Sequence, residues 1–304
     1  MKNMLFPPSS NHIRQIFAGG AAVLSIMLSP TIQAQSDNFN DGNDTTPAWT
    51  HYAAGGLGQT FTFPANPADA TSAYRITSAA GTSINPGRVG SYMLGGPEIP
   101  DFTITTDLID WNNASSQNMG VMARVQAPPG GVFGASFPLG YALVYANRFS
   151  ATGGGTDQLR LYKVVAGTVG FMNNGLGGQG QFGVVAGGSA PPNPTNDYQL
   201  VFTGYGNVFT GQIIDKSTGL AMTFNNGLGG LTDRIVASDP GVPSGFGPLY
   251  TTGTYGYFGF VGAGAIDPTF DNFSVVPEPS SLTIAGLGLA GFFAWNTRRL
   301  KRSL

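Results

Sequence analysis

The sequence predicts an all-β domain framed by two short apolar segments that read as helices. Three observations support this. The 304 residues include 46 Gly and 21 Pro, yet aromatics make up 12% and β-branched residues are plentiful. That mixture suits many short strands joined by turns better than it suits disorder. Stretches of helical period are nearly absent between residues 37 and 275. Apolar residues there alternate with polar or small ones, as in a half-buried strand.

The elements follow in order. Lys2, His12 and Arg14 precede an apolar run from Ile16 to Leu28, followed by Pro30 and Ile32-Gln33-Ala34. A charged start, a short apolar segment and a small residue predict that residues 1–34 are a signal peptide, cut by signal peptidase after Ala34; an uncleaved anchor is the alternative, disfavoured by the shortness of the run. The domain then spans 35–275. Asp37-Asn38-Phe39-Asn40-Asp41-Gly42-Asn43-Asp44 opens it, with carboxylate and amide side chains around one phenylalanine. Strands are expected at Thr60–Phe63, Ser72–Thr77, Phe102–Trp111, Met119–Val125, Gly140–Ala146 and Gln158–Val165. Residues 175–194 are rich in Gly and Pro and read as a long loop. Tyr198–Thr203 and Val208–Ile214 flank Gly204-Tyr-Gly-Asn207, a hairpin signal. Leu220–Phe224, Tyr255–Val261 and Thr269–Val275 complete the set. Asn173-Asn-Gly-Leu-Gly-Gly178 recurs as Asn225-Asn-Gly-Leu-Gly-Gly230. No similarity spreads beyond the hexamer, so it predicts two similar turns and no repeat architecture, with a ligand loop as the minor alternative.

The end of the chain, residues 276–304, has its own order. Val276-Pro277-Glu278-Pro279-Ser280 precedes an apolar run from Leu282 to Trp295, and Arg298, Arg299, Lys301 and Arg302 follow. The run is 14 residues, about 21 Å of helix against a bilayer core of about 30 Å. It is short for a permanent span. Leu282 and Leu287 supply apolar length, Phe292, Phe293 and Trp295 suit an interface belt, and the basic residues can snorkel. A buried C-terminal helix of the domain is the alternative, disfavoured by the basic run. Gly286, Gly288 and Gly291 match the dinucleotide fingerprint, but that fingerprint needs a βαβ unit and an acidic residue about 20 positions on, and no acid follows. They read as small residues of a membrane helix.

The order of triplet, apolar segment and basic end resembles the PEP-CTERM sorting tail of exported bacterial proteins. The resemblance implies Pro277, Glu278 and Pro279 as the sorting motif, transient inner-membrane anchoring, and cutting by an exosortase-type transpeptidase. The protein would then pass to the cell surface or extracellular matrix. The domain, in turn, resembles the concanavalin A-like or laminin-G-like jelly rolls, two antiparallel sheets packed face to face. The opening Asp37–Gly42, the strands around Gly120–Arg124 and Gly140–Tyr145, the Tyr198–Ile214 hairpin and the closing Gly256–Val261 and Phe270-Asp271-Asn272-Phe273 carry that likeness. It implies that the first and last strands lie side by side, with Asn38-Phe39 near Asn272-Phe273.

Composition excludes several chemistries. Residues 37–275 hold eight basic residues against fifteen acidic ones, a net charge of −7. Nucleic acid needs basic stripes, so it is not a partner. The chain has no cysteine, hence no thiol nucleophile, no Cys-ligated zinc and no disulfide. His51 is the one histidine of the domain, and no G-x-S-x-G accompanies it as a triad would require.

Related glycanases carry an E-x-D-x-x-E strand, as the resemblance implies, and retaining hydrolysis needs two carboxyls about 5 Å apart. The domain has one glutamate, Glu98, in Gly96-Pro97-Glu98-Ile99-Pro100. Asp107 and Asp110 are the remaining pair, and three residues apart they face opposite sides of a regular strand. They read as solvent-facing or turn residues, so no catalytic residue is expected.

Asp37, Asn40, Asp41 and Asp271 offer the oxygen ligands that calcium prefers, which makes a structural calcium the one cofactor to look for. Asp and Asn also simply favour turns. Trp49, Trp111, Tyr145, Tyr205, Tyr250 and Tyr255 are the aromatics on which a sugar ring could stack; a half-buried place in the sandwich is the ordinary reading of each. The leading expectation is a non-catalytic surface protein that binds extracellular polysaccharide or matrix. A glycan-degrading enzyme with a non-standard carboxylate pair, or a purely structural biofilm component, are the alternatives.

Overall fold

A computed structural model describes residues 34–53, 58–79, 88–94, 98–127, 129–131, 138–147, 157–165, 168–172, 181–184, 197–226, 230–241, 248–260 and 265–278. The expected signal and anchor segments lie outside them. Pro279, Leu282, Leu287, Phe292, Phe293, Trp295, Arg298, Arg299, Lys301 and Arg302 therefore receive no structural account, and neither does the first Asn-Asn-Gly-Leu-Gly-Gly copy.

Among the described residues, nineteen strands run in chain order. They are β1 (Gln35–Asp37), β2 (Trp49–Ala53), β3 (Thr60–Thr62), β4 (Tyr74–Thr77), β5 (Arg88–Met93), β6 (Phe102–Asp110), β7 (Gln117–Gln126), β8 (Leu139–Asn147), β9 (Gln158–Val165) and β10 (Thr168–Phe171). Then come β11 (Gln181–Val184), β12 (Tyr198–Tyr205), β13 (Val208–Asp215), β14 (Leu220–Ala221), β15 (Phe224–Asn225), β16 (Leu231–Thr232), β17 (Ile235–Ser238), β18 (Thr254–Phe260) and β19 (Thr269–Pro277).

They form two antiparallel sheets. The first is ordered β14-β13-β12-β6-β19-β4-β3, with β1 added to β19 and β17 to β13. The second is ordered β16-β15-β11-β9-β8-β7-β18-β5-β2, with β10 on β9. Two sheets packed face to face, with sequence-distant strands as neighbours, make a domain that is all-β as the alternation pattern predicted and a jelly-roll sandwich as the resemblance implied.

Period-2 alternation places the core between the sheets. From the first sheet come Tyr74, Ile76, Phe102, Ile104, Leu108, Leu200, Phe202, Phe209, Phe270 and Phe273. From the second come Val89, Met119, Val121, Tyr141, Leu143, Tyr145, Leu161, Tyr255 and Tyr257. A second buried cluster joins Tyr52, Tyr92, Met122, Val144, Tyr162, Val164 and Phe258. These alternate with the core residues on the second sheet's strands, and so occupy its other face.

The hairpin β12–β13 closes on Tyr205↔Val208 around Gly206-Asn207, as the turn residues required. The Gly/Pro-rich stretch expected as one loop instead contributes β11, which pairs with β9 and β15. Its four residues gain from joining an existing edge what their own propensity does not supply. At the second hexamer copy β15 pairs with β16 and Asn226 N–H donates to Gly230 O at 3.0 Å; residues 227–229 lie outside the described residues.

Candidate functional site

First and last strands meet. β1 lies along β19 with Asp37 opposite Phe273, Ser36 opposite Ser274 and Gln35 opposite Val275. Beside this seam opens a cleft of about 720 Å³. Asn38, Asn40, Asp41 and Thr46 line one side, Asn272 and Ser274 the other. The loop that supplies the first side is fixed by Asp37, whose carboxylate accepts Phe39 N–H at 2.8 Å and Trp49 Nε1–H at 2.7 Å. These bonds hold Phe39 at φ 52° and fully buried, stacked 4.6 Å from the ring of Tyr74. Burial pushes the Asp37 carboxyl above its ordinary range, against the two N–H donors, which pull it down.

The expected calcium ligands divide. Asp37, Asn40 and Asp41 line the cleft. Asp271, next to the core residue Phe270, faces the outer side of its sheet, where its carboxylate accepts Asn66 Nδ2–H at 2.9 Å and Asn272 N–H at 2.7 Å. Both oxygens of Asp37 take N–H donors, and Asp41 accepts Asn43 N–H. Among the described residues no three acidic or histidine side chains converge as a metal site needs. The donor set does not gather round one calcium ion: Asp271 lies on the outer side of its sheet, away from Asp37, and Asp37, Asp41 and Asp271 already accept N–H donors.

The acidic pair was expected to split across β6, but it does not. The register of β6 against β19 shifts so that Thr269 opposes Asp110 while Phe270 opposes Leu108. That bulge turns Asp110 to the side of Asp107. Neither is free. Asp110 is ion-paired with Arg75. Asp107, 2% exposed and not solvent-facing, accepts Lys216 Nζ at 2.6 Å and Asn272 Nδ2 at 2.9 Å. Asp271 stands directly opposite it, and burial raises the Asp271 carboxyl. The cluster is a satisfied polar network on a sheet face. Glu98 accepts a hydrogen bond from Thr252.

His51 makes no triad either. Its Nε2 lies 2.7 Å from Asp44 Oδ2 and 3.0 Å from the Tyr74 hydroxyl, which itself donates to Ser91 Oγ at 2.8 Å. Acid and hydroxyl thus meet the same ring nitrogen, whereas a triad needs them on opposite ones. Ser91 is fully buried.

Of the aromatics considered for stacking, Trp49, Trp111, Tyr145, Tyr250 and Tyr255 are buried, and Tyr205 is 58% exposed at a hairpin tip. The aromatic residues on the second sheet's outer face escaped the sequence reading. Gly90, Gly120 and Gly256 interrupt their strands there, so the alternation signal is faint.

The last strand leads into the tail. Pro277 pairs with Phe102, Glu278 N–H donates to Asp101 O at 3.0 Å, and the Glu278 carboxylate accepts the Thr103 hydroxyl. Residues 275–299 match the profile of the PEP-CTERM protein-sorting motif. The chain carries a PEP-CTERM tail. Its match begins inside β19, so Val275–Glu278 belong to both the sandwich and the PEP-CTERM motif.

No curated protein matches the chain. Among solved structures it is similar to a galectin-like protein of unknown function from Bacillus subtilis, at 13% identity over 80% of this chain and 94% of that one, TM-score 0.47. It is also similar to the VIP36 exoplasmic/lumenal domain in its Ca2+/Man3GlcNAc-bound form, at 12% identity over 79% and 88%, TM-score 0.45. A third similarity is to the carbohydrate-binding module CBM66 from Bacillus subtilis, at 16% identity over 73% and 94%, TM-score 0.38.

Proposed function

We propose that this is an exported, non-catalytic β-sandwich that binds extracellular polysaccharide or matrix at the surface to which its PEP-CTERM tail delivers it. The observation that carries the reading is the overlap at β19, where a complete sandwich runs directly into the sorting motif. Residues 1–34 direct export and are removed by signal peptidase, 35–275 bind, and 276–304 anchor the chain briefly in the inner membrane. An exosortase-type transpeptidase then acts near Pro277-Glu278-Pro279. Arg298, Arg299, Lys301 and Arg302 hold the tail's end on the cytoplasmic side.

The binding surface we assign is the cleft between Asn38–Thr46 and Asn272–Ser274. Its amides, hydroxyls and carboxylate offer both donors and acceptors, which is what sugar hydroxyls need. The acidic domain favours a neutral or cation-bridged polysaccharide over a polyanion.

A glycan array tests this, run on the purified protein with calcium and again with EDTA. Saturable binding to a defined polysaccharide is expected, weakened at least tenfold by Asn40→Ala with Ser274→Ala. No binding in either buffer rejects the glycan reading and leaves a structural matrix role.

A further inference from the structure

Lys163 and Asp239 are buried face to face inside the sandwich. Lys163 projects from β9 of the second sheet and Asp239 follows β17 of the first, with Nζ 2.5 Å from Oδ2 and the side chains 2% and 3% exposed. Lys216–Asp107 also pairs an amine with a carboxylate, but its lysine is 39% exposed. Guanidinium and imidazole partners make up the remaining described ion pairs. The Lys163 ammonium lies 5.2 Å from the Tyr250 ring centre and 5.9 Å from that of Tyr141. Such surroundings penalise two separated charges and favour any neutral product the same groups can form.

Further contacts around the pair suit a condensation. The Tyr141 hydroxyl donates to Asp239 Oδ2 at 2.6 Å and accepts Tyr250 N–H at 3.0 Å. Gly241 N–H donates to Oδ1 at 2.9 Å. Burial, then the neighbouring Asp239 carboxylate, raises the Tyr141 hydroxyl well above its ordinary range, so it stays a protonated donor.

We propose that Lys163 and Asp239 condense into an intramolecular isopeptide bond that staples the two sheets together. One proton passes from the ammonium to the carboxylate, giving neutral amine and acid. Nζ attacks Cγ, and the charge that develops on Oδ1 is met by Gly241 N–H. Tyr141 gives its proton to the departing Oδ2 hydroxyl and takes one from Nζ, ending unchanged. The Cγ–Oδ2 bond breaks, the Nζ–Cγ bond remains, and one water leaves. No oxidant or further reactant is required. The amide keeps Oδ1 on Gly241 N–H and turns its own N–H to the Tyr141 oxygen. An exported domain without cysteine thereby gains the long-loop restraint that disulfides give others.

Tryptic digestion of the purified full-length chain, read by mass spectrometry, tests this. Trypsin should fail to cut after Lys163. The peptide starting at Leu161 and ending at Lys216 should appear joined to the peptide starting at Ile235, one water lighter than their sum. Tyr141→Phe should lower the joined fraction several-fold. Recovery of all Lys163 in the linear Leu161–Lys163 peptide, beside an unmodified Ile235 peptide, overturns the proposal. An undiminished joined fraction in Tyr141→Phe overturns the role given to the tyrosine.

Discussion

The guanidinium of Arg124 lies 5.0 Å from the ring centre of Phe209, joining β7 of one sheet to β13 of the other through the middle of the sandwich. Its side chain is 1% exposed. It donates through Nε and Nη2 to Pro100 O and through Nη1 to Tyr250 O. Arg124 itself sits at φ 50°, where the register of β7 slips against β8. Arg124→Lys should cost roughly 3 kcal/mol, because one ammonium cannot serve both carbonyls and leaves buried acceptors unpaired. A denaturant midpoint measures this; a change within error would deny the arginine its place in the core.

Gly253 reaches the same seam from the other side. At φ +150°, a Cβ there would stand 2.4 Å from the backbone carbon of Arg124. Strain and overlap with rigid backbone add, so Gly253→Ala should lose roughly 2–4 kcal/mol. Thermal unfolding of the variant checks it.

Stability should fall as pH drops below about 6.5, the ordinary histidine value. Burial lowers the His51 pKa, against the raising effect of Asp44, so the unfolded chain takes up a proton first and acid favours unfolding. The loss begins near the unfolded value and continues down to the depressed folded one. Asp37 and Asp271, raised by burial, act oppositely and only at lower pH, where protonation favours the native state. His51→Asn should flatten the midpoint-against-pH curve below about pH 6.5. An equal slope in both proteins would remove His51 from the account.

Calcium should leave the thermal midpoint where EDTA leaves it. Asp37 and Asp271 occupy different faces and already accept N–H donors. A ligand that binds only the folded state raises the midpoint with its concentration, so a calcium-dependent rise of several degrees would show a site this arrangement does not provide.

Much of the sandwich was legible because alternation is a local signal. β9 has the expected bounds, Gln158–Val165, and the Tyr198–Ile214 hairpin closes on its Gly-Asn turn. The first and last strands lie side by side as the jelly-roll resemblance implied, with Asp37 opposite Phe273, and Asn38 lines one cleft with Asn272 and Phe273. Other parts are set by distant partners. β1 and β11 are three and four residues long and exist only as additions to β19, β9 and β15. The bulge that brings Asp110 round to the side of Asp107 depends on how β19 meets β6, which spacing within β6 does not encode. Lys163 reads locally as one polar position of an alternating strand. Its partner Asp239 is 76 positions away, and the sequence offers no sign of the pair.

The most direct test of sorting by the PEP-CTERM tail follows the chain in exosortase-bearing cells. Wild type is compared with a variant carrying Pro277→Ala, Glu278→Ala and Pro279→Ala, and with a deletion of Leu282–Leu304. The wild type should be shortened at its C-terminus and reach the surface or medium. The triple variant should stay full length in the membrane fraction, and the deletion should be released to the periplasm or medium. A wild-type protein that is soluble and uncut, or that stays full length and distributes as the triple variant does, would contradict the account.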